Sequence, residues 1–183
     1  MTDEHRPCIL TVSGHRFYFD RPEDSVITIV DIAHALSMLC RFNGHTHGFY
    51  SVAEHSVLGS LLPEVEADPD LAREFLMHDA AEAFVGDMTS PLGGLCPDYK
   101  AIKRRVENHV ASVFGLRMPL SAAVHDVDMR MLRMEQAEIM RDPNKAWPVV
   151  RDYRPAAISP RFWSPERARS HFLRRAAELR IET

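Results

Sequence analysis

Residues 71–87 read LAREFLMHDAAEAFVGD, opened by Asp70 and stopped by Gly86. Leu71, Phe75, His78 and Glu82 recur at three- and four-residue spacing, which lines them along one side of a helix, and glycine readily ends one. The spacing therefore predicts one continuous helix that runs through His78-Asp79. The same period returns on both sides of this stretch. Asp31 is placed to cap IAHALSMLCRF, and Ser51 with Glu54 forms an S-x-x-E capping box ahead of Val52, His55, Val57 and Leu58. Further on, YKAIKRRVENHVASVFGL carries Ile102, Val106, Val110 and Phe114, and Ser121 caps AAVHDVDMRMLRMEQAEIMR. Ser164-Pro165-Glu166 starts ERARSHFLRRAAELR with proline in the first turn, where a missing N–H costs nothing.

Only residues 8–20, CILTVSGHRFYFD, read as strand: two β-prone runs flank Ser13-Gly14 as in a short hairpin. FNGHTHGF and MTSPLGGLCPD interrupt the helical period and read as loops, and the proline- and aromatic-rich residues 143–163 read as an ordered loop. No internal repeat and no composition shift divides the chain. The expected architecture is all-α: one domain over residues 1–183, a helical bundle with a small N-terminal β-hairpin. Its motif-bearing part spans about 31–140, followed by a C-terminal loop and helix over 143–183.

A chain of 183 residues can bury a sizeable core without disulfide or metal staples. Its charge, 22 − 26 = −4, with no long Lys/Arg run, disfavours nonspecific nucleic-acid binding. Cys8, Cys40 and Cys96 form no CxxC pair, which fits a reducing cytoplasm. MTDEHRPCIL lacks the basic start and apolar run of a signal peptide, and no 18-residue apolar window occurs, so neither export nor a membrane span is expected. There are 10 histidines, and His34, His45, His47, His55 and His78 crowd into less than a third of the chain, a bias toward metal or proton chemistry.

His78-Asp79 offers an imidazole and a carboxylate about 100° apart on a helix, both able to reach an ion beside it. His55, early on the preceding helix, and Asp128, on a later one, would complete a two-nitrogen, two-oxygen set if the helices pack antiparallel. In VHDVD either Asp126 or Asp128 could supply the last carboxylate. His125-Asp126 reads as a chance copy of the dipeptide, and His34, His45 and His47 read as ordinary hydrogen-bonded histidines before they read as a second site. Glu82, one turn after His78, is placed to hydrogen-bond water or a ligand at the ion rather than the ion itself.

SVAEHS, HDAAEAFVGD and VDMRMLRMEQAEI together resemble, in order and spacing, the HD-domain metal-dependent phosphohydrolases, from about Asp31 to Met140. Within them the chain looks most like the small proteins related to bacterial 5'-deoxynucleotidases and to phage enzymes that remove triphosphate from deoxyadenosine triphosphate. The resemblance implies His55, His78, Asp79 and Asp128 as metal ligands, Asp128 being favoured because the family-like D-x-R-x-L-x-x-E run begins there and ends at Glu135. It implies Glu82 and Asp87 as catalytic acids, and Arg41-Phe42 as a pair beside the substrate phosphate and sugar. Phenylalanine stands here where those deoxynucleotidases have tryptophan, and the run NGHTHGFY is longer.

Lysines near the SPLGGLCPDYK loop approach phosphates in relatives, which makes Lys100 a candidate and leaves Lys103, Arg104 and Arg105 as a solvated helix face. The expected cofactor is one divalent transition metal (manganese, cobalt, zinc, iron or nickel, with magnesium allowed), and a second catalytic ion is conceivable. The expected activity is hydrolysis of a deoxynucleoside 5'-monophosphate or 5'-triphosphate. The alternative is a catalytically silent metal- or nucleotide-binding regulatory module. Expected partners are a nucleotide and further copies of the chain, with no nucleic acid and no membrane.

Overall fold

The computed structural model describes residues 6–140 and 147–182. The expected hairpin is present: β1 (Cys8–Leu10) pairs antiparallel with β2 (Arg16–Tyr18), Ile9 opposite Phe17. Gly14, in the turn between them, takes the left-handed backbone that glycine adopts without strain. The described residues otherwise form short 3-10 turns and the helices α1 (Ile29–Met38), α2 (Val52–Ser60), α3 (Pro63–Glu66), α4 (Pro69–Met77), α5 (Glu82–Val85), α6 (Ser90–Gly93), α7 (Pro97–Phe114), α8 (Ala122–Glu138) and α9 (Pro165–Glu178). The fold is thus mostly α with one small hairpin. Residues 143–146 of the expected C-terminal loop lie outside the described residues.

Several boundaries differ from the sequence reading. The cap of α1 is Thr28, not Asp31: Thr28 Oγ1 accepts from the Asp31 N–H (3.1 Å) and donates to the Asp31 carboxylate (2.7 Å), which also takes the Ser13 N–H. The cap of α4 is Asp68, with Pro69 in the first turn, rather than Asp70. Ser51 caps α2 as expected, accepting from the Glu54 N–H, but Glu54 does not close the box. Its buried carboxylate instead accepts from the backbone N–H groups of Arg161, Phe162 and Trp163 (2.6, 2.9 and 2.7 Å) and so ties the C-terminal loop to α2. The helix expected over 71–86 is also broken, and α6 stands inside an expected loop.

The core gathers Phe17, Ile32, Leu36, Phe75, Met131 and Phe172, all fully buried. α9 packs against α1, α2 and α4, while α8 packs against α2 and α4. The α2–α4 contact is unusually close. A Cβ on Gly59 would lie 2.0 Å from Cε1 of the buried Phe75 ring, so only glycine fits, despite its cost inside a helix. That ring packs on His78 (centroids 4.5 Å apart) and lies near His55 (5.7 Å). Gly59→Ala is therefore expected to destabilise the protein by about 1–3 kcal/mol, the range for overpacking a filled core. Urea unfolding should show the loss; a variant as stable as the wild type would mean that Phe75 can move aside freely.

Candidate metal centre

α4 stops at Met77 because His78 takes over the carbonyl of Phe75. That oxygen accepts both the His78 backbone N–H (3.4 Å) and its ring Nδ1–H (2.6 Å), a side chain competing with the helical ladder. From there the chain tightens into i→i−3 bonds, Ala80 to Met77 and Glu82 to Asp79, before α5 begins. His78 and Asp79 consequently sit on a turn between two helices, not within one, and both face the same place.

α2 and α8 supply the other two residues. His55 Nε2 lies 3.4 Å from His78 Nε2 and 3.3 Å from Asp128 Oδ1. His78 Nε2 lies 3.1 Å from Asp79 Oδ2 and 3.8 Å from Asp128 Oδ1. Asp126, the other acid considered, is exposed, as is His125. One ligand atom each of His55, His78 and Asp128 lies within 4.8 Å of the others, so these three could hold a metal ion.

The ring nitrogens are arranged for that task. His55 Nδ1 donates to Glu135 Oε1 (2.5 Å) and His78 Nδ1 to the Phe75 carbonyl. A carboxylate and a carbonyl can only accept, so each Nδ1 carries a proton and each Nε2 is the nitrogen turned toward the cluster. Imidazole and carboxylate are both groups that bind metal ions. The local field favours a cation as well: burial and Arg41 push the His55 pKa down, but Glu135 and Asp128 outweigh them and hold it at about 9. Burial works against ionised Asp79, yet His78, His55 and Arg41 keep its carboxyl well below the usual range.

The chain is 41% identical to the uncharacterized protein YfdR of Escherichia coli over 143 residues, 78% of each chain. It is 34% identical to an uncharacterized protein of Rhodobacter capsulatus over 139 residues, 70% of each chain. It belongs to their family. No protein-family model matches the chain.

Around the cluster stand the remaining candidates. Glu82 is buried at the start of α5; its Oε1 accepts from Lys103 Nζ (2.8 Å), while its Oε2 has no partner. Burial, with Asp79 nearby, pushes the Glu82 carboxyl up to about 8 against the pull of Lys103. Asp87 follows Gly86, and burial raises its pKa while Arg41 opposes the shift. Lys103 therefore reaches into the site from α7 and does not belong to a solvated face, whereas Lys100, the candidate from sequence, is exposed. No local spacing signals this, since Lys103 and Glu82 are far apart in the chain and meet because α7 packs on α5.

Arg41 does not end α1. It lies in a separate 3-10 turn, Arg41–Gly44, in which Phe42 and Asn43 take left-handed backbone. A bridge between Cys40 and Ser51 and the bond from the Arg41 N–H to the Tyr50 carbonyl (2.9 Å) fold the NGHTHGFY run back on itself. The Arg41 side chain is buried, with one terminal nitrogen on Glu135 (3.0 Å) and the other 3.6 Å from Asp79, and its Nε unpartnered. Phe42 meets Trp147 edge to face, 5.8 Å between centroids. Of the other histidines, His47 donates Nδ1–H to the Ile139 carbonyl (2.9 Å), an ordinary hydrogen-bonded role.

Proposed function

We propose that this protein is a metal-dependent phosphohydrolase of the HD type, acting on a deoxynucleoside 5'-monophosphate or 5'-triphosphate. The observation that carries this reading is the convergence of the Nε2 atoms of His55 and His78 with the carboxylates of Asp128 and Asp79, beside a buried carboxylate, Glu82, with one unpartnered oxygen. His55, His78, Asp79 and Asp128 would hold the ion, with manganese, cobalt, zinc, iron or nickel as candidates. A divalent ion in such a site lowers the pKa of water from about 15.7 toward 7 and polarises a phosphoryl oxygen.

The chain's own residues do the rest. Attack of water on phosphorus requires a group to take a proton, and Glu82, with its buried and unpartnered Oε2, is the group we assign to that task. Lys103 holds the other oxygen and fixes the carboxylate plane. Asp87, or Glu82 in its protonated form, returns a proton to the leaving oxygen as its bond to phosphorus breaks. Arg41 offsets phosphate charge, and Phe42 with Trp147 offers an aromatic wall for the nucleoside. The setting we infer is cytoplasmic, supported by the free Cys8, Cys40 and Cys96. Among the described residues no helix is long and apolar enough to cross a membrane.

Phosphate or triphosphate release from a panel of deoxynucleotides with manganese, cobalt, magnesium or zinc tests the reading; no turnover with any of them would leave a regulatory binding module. Arg41→Lys refines it. An ammonium cannot span Glu135 and a phosphate as a planar fork does, so kcat/KM should fall by about one to two orders of magnitude, one charge-assisted hydrogen bond's worth. Unchanged kinetics would remove Arg41 from the substrate contacts.

A further inference from the structure

Glu135 uses both carboxylate oxygens on the site while being fully buried. Oε1 takes the His55 Nδ1–H at 2.5 Å, and Oε2 takes an Arg41 terminal nitrogen at 3.0 Å. We infer that Glu135 is a positioning residue that keeps the metal centre open, orienting His55 and holding the Arg41 guanidinium off the ligand carboxylate of Asp79. This rests on the ligand set proposed above but not on the reaction.

Arg41 stands between two carboxylates. Its nearest nitrogen is 3.6 Å from Asp79 Oδ2, a loose contact, against 3.0 Å to Glu135. A cation this poorly exposed, 10% for the side chain, needs an anion beside it. With the Glu135 charge removed, Asp79 is the next acid within reach, and a shift of a few tenths of an ångström would complete that ion pair. The Asp79 oxygen that faces His78 Nε2 would then be engaged by a guanidinium, in direct competition with an ion.

Glutamine cannot replace the carboxylate here. It presents one acceptor and one donor group where two donors, His55 Nδ1–H and Arg41, both require acceptors. The placement follows from α8: Asp128 and Glu135 are seven residues, about two helical turns, apart, so one face of one helix supplies both a ligand and its brace.

The experiment is the affinity of the full chain for manganese or cobalt alone, without substrate, by titration calorimetry. It compares the wild type, Glu135→Gln, Arg41→Met and the double variant. Glu135→Gln should weaken binding by about 10- to 100-fold, the scale for removing the partner of a ligating histidine. Arg41→Met alone should change it by less than about threefold, because Glu135 already restrains Arg41, whereas in the Glu135→Gln background it should restore about tenfold.

A purely structural role for Glu135 would make the double variant no better than Glu135→Gln, and that result overturns the inference. So does a Glu135→Gln protein that binds metal as the wild type does. If Glu135→Gln does not fold by circular dichroism, Glu135→Asp, which withdraws the charge by one methylene, takes its place with the same recovery expected from Arg41→Met. A wild type that binds neither metal overturns this inference and the metal centre together. Metal coupling as described, without turnover on any nucleotide, overturns only the phosphohydrolase reading.

Discussion

His78→Ala and Asp79→Ala are expected to abolish metal retention and nucleotide hydrolysis together while the helical circular dichroism stays close to wild type. Both residues lie on the turn between α4 and α5, not inside a helix, and neither is among the apolar side chains that fill the core. Losing one of the four proposed donors would remove a large share of the affinity, and without the ion water would stay a poor nucleophile at neutral pH. Elemental analysis of protein purified without chelator, alongside phosphate release, is the measurement. The two variants also separate a four-residue set from the tighter group of His55, His78 and Asp128. If Asp79→Ala keeps its metal while His78→Ala loses it, Asp79 is not a ligand. An alanine variant with full activity would remove the site assignment altogether.

Glu82→Ala should show the opposite dissociation, metal retained and turnover lower by about two to four orders of magnitude, the range for a general acid–base group. Glu82 is near enough to feel the Asp79 charge and is held by Lys103 at Oε1, but it is not in the group of His55, His78 and Asp128. Metal lost from this variant would make Glu82 a ligand, and undiminished turnover would make it a bystander. Because Lys103 would be left without its carboxylate, Glu82→Gln is the companion variant: it keeps an acceptor for Lys103 and removes only the ability to carry the proton.

Most of the helical architecture is legible in the sequence, and the reason is local. Apolar residues at three- and four-residue spacing and Ser51, Ser121 and Ser164 as caps act within one or two turns, so α2, α7, α8 and α9 fall close to their expected places, and Gly115 closes α7 in left-handed backbone. The failures are equally physical. The helix expected over 71–86 breaks because the His78 side chain takes the Phe75 carbonyl, a hydrogen bond that hydrophobic periodicity does not register. Glu54 leaves its capping box because Arg161, Phe162 and Trp163 offer it three backbone donors from more than a hundred residues away.

The candidate site divides along the same line. His55, His78, Asp79 and Glu82 could be named from motif and spacing, because ligand chemistry restricts residue type and helices restrict spacing, whereas spacing alone left Asp126 and Asp128 both open. Which acid of VHDVD joins the cluster depends on how α8 is rotated against α2 and α4, and packing brings Asp128, the one the family-like run favoured, to His55 and His78 while Asp126 stays exposed. The partners of the site residues were likewise beyond the sequence: Lys103 on Glu82, and Arg41 between Asp79 and Glu135. Residue identity, period and capping act through the nearest turns of chain and are written in the sequence itself. The pairing of buried charges is settled by which helices touch, and that is a property of the folded core alone.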